Sequence, residues 1–206
     1  MNRPKTTQVA VEEEIISSVP KSRVRDRIMK TASELFYRYG IHAVGVDTIA
    51  GEAGTNKMSF YRNFASKDEL VAEYLRGEER EGLLWWDETL AAHAGNPRQQ
   101  VESLFDVLVQ NNCEEDSRGC ALANAAVEIT EPDHPARPVI EKYKADMRER
   151  FRRLAREMKA REPNSLGDSL MLLWEGAYVA RVTMGADGPV QGAAKAARAL
   201  IAAYTD

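Results

Sequence analysis

Residues 40–70 read GIHAVGVDTIAGEAGTNKMSFYRNFASKDEL. Two short helical patterns lie within this stretch, one over about 46–53 and one over about 57–63. In the first, Val46, Ile49, Ala50 and Ala53 recur at three- and four-residue spacing and so share one helix face. Gly54 ends it, because glycine enters a tight turn without a Cβ clash. Asn56 then stands where a capping side chain is wanted for the second helix. That helix contributes Phe60, and Phe64 follows it into the packing. A short helix, a tight turn and a second short helix form helix-turn-helix geometry. Two such helices cannot bury a core alone, so their neighbours must support them.

The neighbours are suited to this. Upstream, Ile28, Ala32, Leu35, Phe36 and Tyr39 form one face of a helix over about 23–39, with Gly40 as its C-cap. Downstream, Ser66 and Glu69 have capping-box spacing, and Leu70, Val71, Tyr74 and Leu75 begin another inward face. Charge is segregated along the chain. Residues 21–67 hold nine basic and four acidic side chains, a net +5, whereas the whole chain is −4. A basic block on an acidic trunk is the footprint of a polyanion-binding head. Residues 1–20 lack periodicity and read as a flexible arm.

Helical periodicity continues to the end of the 206 residues. Val101, Leu104, Phe105, Leu108 and Val109 form one stripe, and 119–130 reads as a further helix. Ile140, Tyr143, Met147, Phe151, Leu154 and Met158 mark a long amphipathic helix with a charged outer face. Leu166, Leu170, Leu173, Trp174, Ala177 and Tyr178 mark the next, and an Ala-rich helix closes the chain. The fold class expected is all-α, with about nine helices. A three-helix head with the helix-turn-helix occupies 21–67, and a helical body occupies 68–206. No apolar run reaches the ~18–20 residues of a membrane span, and no signal peptide is read at the start. With Cys113 and Cys120 as the only cysteines, a disulfide framework is not expected and the cytoplasm is the natural compartment. The two thiols read as small buried hydrophobes rather than a redox pair. His42, His93 and His134 lack metal-ligand spacing, so neither metal nor cofactor is expected.

The head resembles the DNA-binding domain of TetR-type (TetR/AcrR) transcriptional regulators. The matching residues are Ala32, Leu35, Phe36, Gly40, Ile49, Ala50, Ala53, Gly54, Tyr61, Phe64, Lys67 and Leu70, in order across four helices over about 24–72. There are departures. Gly45 stands where Ser or Thr is usual, and the turn reads Gly54-Thr55-Asn56 where Gly-Val-Ser is usual. Met58 replaces a common Gly, and Arg62 and Asn63 replace an aromatic or His. These leave the scaffold intact and change what it reads on DNA.

The resemblance implies a regulator, most simply a repressor, that leaves double-stranded operator DNA when a small-molecule effector binds its body. Lys57, Ser59 and Arg62 are expected on the exposed side of the second helix as base or phosphate contacts. Tyr61 and Lys67 are expected to clamp phosphates, with Thr48 as a further donor and Asp47 as a helix cap. Met58 suits either a thymine methyl or packing, while Arg25 and Arg27 add non-specific attraction. The resemblance also implies an effector pocket between the central helices. Its candidate lining is Trp86, Phe105, Leu108, Cys120, Asn124, Met147, Phe151, Trp174 and Tyr178. The same aromatic and Met stripe also describes plain core. A homodimer through the last two helices is implied as well, with Leu170, Leu173, Ala177, Ala193, Ala197 and Leu200 as candidate contacts.

Two rival classes have less support. An enzyme on a helical scaffold lacks a phosphate-binding glycine loop, an HExxH or GxSxG motif, or a recognisable Cys/His frame. A helical interaction module without DNA binding leaves the 40–70 pattern and its local charge unexplained.

Overall fold

The computed structural model describes residues 21–112 and 118–205. The arm read over 1–20, and Cys113 of the supposed thiol pair, lie outside the described residues. Among those described the chain is all-helical, with nine α-helices and one 3-10 turn. They are α1 (Lys21–Tyr39), α2 (Val46–Glu52), α3 (Lys57–Asn63), α4 (Lys67–Ala91) and α5 (Pro97–Asn112). Then come α6 (Ala121–Glu128), α7 (Arg137–Glu157), α8 (Pro163–Met184), the 3-10 turn (Pro189–Gly192) and α9 (Ala193–Thr205). No helix among the described residues is long and apolar enough to cross a membrane.

The chain divides into two units, 1–74 and 75–206, with the boundary inside α4. In the first unit, Ile28, Ala32, Leu35 and Phe36 of α1 are buried, as their spacing predicts. Ile49, Ala50 and Ala53 meet them from α2, Phe60 and Phe64 from α3 and its end, and Leu70, Val71 and Tyr74 from α4. Tyr39, expected on the same inner face, is exposed. It is the last residue of α1 and has Arg38 over its ring.

The second unit is organised around α8, which packs most extensively on α7 and also on α9, while α9 in turn contacts α5. Gly167 permits the α7–α8 approach: a Cβ there would lie 2.6 Å from Cα and 2.7 Å from the backbone nitrogen of Arg152. At that crossing Asp168 accepts two hydrogen bonds each from Arg148 (2.8 and 2.6 Å) and Arg152 (2.7 and 2.6 Å). These two guanidiniums hold its carboxyl well below the usual carboxylate range. The centre of the unit is aromatic. Trp86 meets Phe151 edge-on at 4.9 Å between centroids, and Trp174 lies 5.4–5.9 Å from Phe105, Phe151, Trp86 and Trp85. Edge-to-face pairs at these separations are favourable beyond the area they bury.

Candidate DNA-binding head and candidate effector site

The turn between α2 and α3 is built by three residues. Gly54 adopts φ +63°, a left-handed conformation that disfavours a Cβ, and the Thr55 N–H reaches back to the Ala50 carbonyl at 2.9 Å. Asn56 then caps α3, its Oδ1 accepting from the Ser59 N–H at 2.8 Å. This cap fixes where a helix only seven residues long begins, and the burial of Phe60 and Phe64 sets its rotational phase. At the other end Asn63 donates from Nδ2 to the Ser59 carbonyl at 2.8 Å, and the Phe64 N–H bonds the Phe60 carbonyl.

That phase decides which side chains face out. Phe60 is fully buried and Ser59 is 9% exposed. Ser59, expected on the exposed side, is therefore corrected to the inner face: it lies beside Phe60, three residues from the cap that accepts from its own amide. Lys57, Met58, Tyr61 and Arg62 are exposed, Met58 at 67% and Tyr61 at 50%. The Lys57 ammonium donates to Asp47 at 3.1 Å. Asp47 is thus a partner of α3 and not the cap of α2, whose N-cap is Gly45, with no side-chain cap hydrogen bond. The pair is exposed on both sides, and such pairs are worth only about 0–1 kcal/mol. A phosphate can therefore compete for Lys57 at small cost. Thr48 is exposed in the first turn of α2. Lys67 opens α4, whose first turn is capped by Ser66, its Oγ accepting from the Glu69 N–H at 3.0 Å.

Arg25 has a different role from the one expected. Its guanidinium makes a bidentate ion pair with Glu73 (2.6 and 2.5 Å) and lies 4.6 Å from the centroid of the Phe64 ring. It ties α1 to α4 and to the end of α3 inside the head, and the Glu73 hydrogen bond raises its pKa. A long-range Arg–Glu pair leaves no simple sequence signal.

In the second unit, Trp86, Phe105, Leu108, Met147, Phe151 and Trp174 come together as buried side chains. Tyr178 extends the cluster at its half-exposed edge, 5.8 Å from Trp174. Trp86 is fully buried, and its indole Nε1 is a donor in the interior. Among the described residues this donor stays unpaired, which costs about 1–3 kcal/mol. Cys120 and Asn124 have polar partners of their own. Lys144 donates to the Cys120 thiol at 3.6 Å and to Glu175 at 2.7 Å, and Asn124 donates to the Arg118 carbonyl at 2.9 Å. Burial, then the neighbouring Cys120 and Glu175, push the Tyr143 phenol well above its ordinary value, so it stays neutral.

The candidate dimer residues are corrected in part. Leu170, Ala177, Ala193 and Ala197 are buried within the single chain, and Leu173 and Leu200 are half-buried. The side of α8 that faces solvent instead carries Leu172 (74% exposed), Gly176, Val179 (58%), Val182 and Thr183.

A capped second helix turned outward on a basic, helical head defines a helix-turn-helix protein. The family model for bacterial regulatory proteins of the tetR family matches residues 28–74. A putative TetR-type regulator from Streptomyces avermitilis is 30% identical, with 88% of this chain and 97% of that one aligned at a TM-score of 0.77. A TetR-family regulator from Streptomyces coelicolor has the same fold at a TM-score of 0.84 and 24% identity, over 90% of this chain and 97% of that one. Among curated proteins, the transcriptional activator FasR of Mycolicibacterium smegmatis is 32% identical over 117 residues, 55% of this chain and 51% of that one. The repressor KstR2 of Mycobacterium tuberculosis is 33% identical over 85 residues, 39% of this chain and 40% of that one. The match thus spans about half the length of FasR and less of KstR2. The chain belongs to the TetR family of bacterial regulatory proteins.

Proposed function

We propose that this chain is a dimeric transcriptional repressor in the cytoplasm that leaves double-stranded operator DNA when a small molecule occupies its body. One observation carries the reading: α3 is capped by Asn56 and turns Lys57, Met58, Tyr61 and Arg62 outward from a segment of net charge +5. Residues 21–67 are the DNA-binding part in this reading and 68–206 the sensing and dimerisation part. Arg62 and Lys57 meet base edges or phosphates, while Thr48, Tyr61 and Lys67 hold the backbone. Ser59 acts from behind, through its amide in the cap.

The effector is a molecule with an acceptor atom for the Trp86 N–H and an apolar body for Phe105, Phe151 and Trp174, with Leu108, Met147 and Tyr178 at the margins. Its binding releases DNA only if it favours the DNA-incompetent conformation, since a ligand with equal affinity for both shifts nothing. FasR is named an activator and KstR2 a repressor.

The test is duplex binding by fluorescence anisotropy across a salt series. Steep loss of affinity with rising salt supports the reading, because neutralised phosphates release counterions. Negligible or salt-insensitive binding would replace it with an interaction module that has no DNA role.

A further inference from the structure

We propose that Met58 reads the 5-methyl group of a thymine in each operator half-site. The inference rests on the DNA-binding reading above and assigns it one base. It follows from the phase of α3. Successive residues turn about 100° around a helix. Ser59, Phe60 and the half-buried Asn63 take the inner side. The centre of the opposite side then falls on Met58 and Tyr61, one turn apart, with Lys57 and Arg62 on the two flanks. The middle of the outward face is thus a thioether and a phenol, and the cations stand beside it. Met58 is the most exposed large apolar side chain among the described residues of the head.

Two cationic flanks call for a polyanion to cover this face, and the chemistry of a duplex groove narrows what Met58 meets there. Every base edge in the major groove presents hydrogen-bond donors or acceptors, and the thymine methyl is its one apolar group. A thioether donates nothing and accepts weakly, so placing it over a cytosine or adenine amino group leaves a desolvated donor unpaired. Over a methyl it removes apolar surface from water on both partners. Its unbranched, flexible chain adapts to the groove depth.

The experiment selects preferred duplexes from a random pool with the full chain, then replaces each selected thymine by deoxyuridine, which lacks only the methyl. One position per half-site should be a fixed thymine whose replacement weakens wild-type binding about four-fold, the value of one buried methyl-sized group. Met58→Ala should bind the thymine duplex more weakly and show no further loss with deoxyuridine at that position. Its exposed site predicts an unchanged circular dichroism spectrum. A wild type indifferent to every methyl, or a Met58→Ala protein that keeps the same deoxyuridine penalty, overturns the inference while DNA binding stands. Failure to enrich any duplex overturns both.

Discussion

Thr55 buries a hydroxyl that has no hydrogen-bond partner among the described residues. Thr55→Val keeps the shape and removes the desolvated group, so the urea midpoint should rise, by up to about 1 kcal/mol of stability. Duplex affinity should not change, since Thr55 is not among the outward-facing side chains. Lys67 is the complementary case. If it neutralises one phosphate, Lys67→Ala weakens binding to all duplexes alike and lowers the salt slope by about one unit. An unchanged slope assigns it a structural role instead. The residue scale is also where sequence and structure part. In a helix of seven residues no hydrophobic stripe is long enough to fix the phase, so Ser59 reads as plausibly outward as Met58 does. Counting back from Phe60 as the inward anchor gives the phase, and that is the signal that places Met58 on the outer face.

Among the elements, α7 and α8 make the most extensive contact, and Gly167 lies where their backbones come close. A mid-helix Gly→Ala ordinarily gains about 1 kcal/mol in propensity. Here the new methyl would meet Arg152 backbone at 2.6–2.7 Å, and two helix backbones cannot yield as a flexible side chain can. Overpacking typically costs about 1–3 kcal/mol, so Gly167→Ala should destabilise the protein despite its better propensity, which thermal unfolding will read. Asp168, one residue on, gives the same contact a pH dependence. Its folded pKa is lowered by Arg148 and Arg152, so its contribution is complete above the ordinary carboxylate value near 4 and is lost as acid drives protonation below it. In urea titrations, wild type should exceed Asp168→Asn at pH 7 and pH 5, and the gap should narrow by pH 3. A constant gap would mean that the carboxylate's charge contributes nothing. The long stripes of α1 and α7 were legible in the sequence because each has one apolar face. The inner stripe of α8 was legible too, since Leu166, Leu170, Trp174 and Ala177 are buried as their spacing predicts, while Leu172, Val179 and Val182 lie exposed on the other side. Periodicity marks the inner face of such a helix without saying what covers its second apolar side.

At the scale of the whole molecule that ambiguity becomes informative, since a helix apolar on both sides has a second surface to bury. Leu172, Gly176, Val179 and Thr183 are spaced four, three and four residues apart on the solvent side of α8, a continuous stripe with Val182 alongside. A second copy related by two-fold symmetry would lay the same stripe against itself, as an isologous interface requires. Val179→Glu tests this directly. In a two-fold interface one substitution brings in two carboxylates with no cationic partner on the stripe, and desolvating them costs several kcal/mol. In the isolated chain the position is exposed, so folding and secondary structure should be unaffected. Sedimentation should therefore show a dimer for wild type and a monomer for Val179→Glu at micromolar concentration. Operator affinity should fall more than a single head contact explains, because the second head then no longer binds as part of the same particle. Linked sites commonly lose 10²–10⁴ in avidity when the link is cut. A variant that stays dimeric at the same concentration places the interface elsewhere. One that turns monomeric yet binds the operator as tightly as before removes the need for two heads.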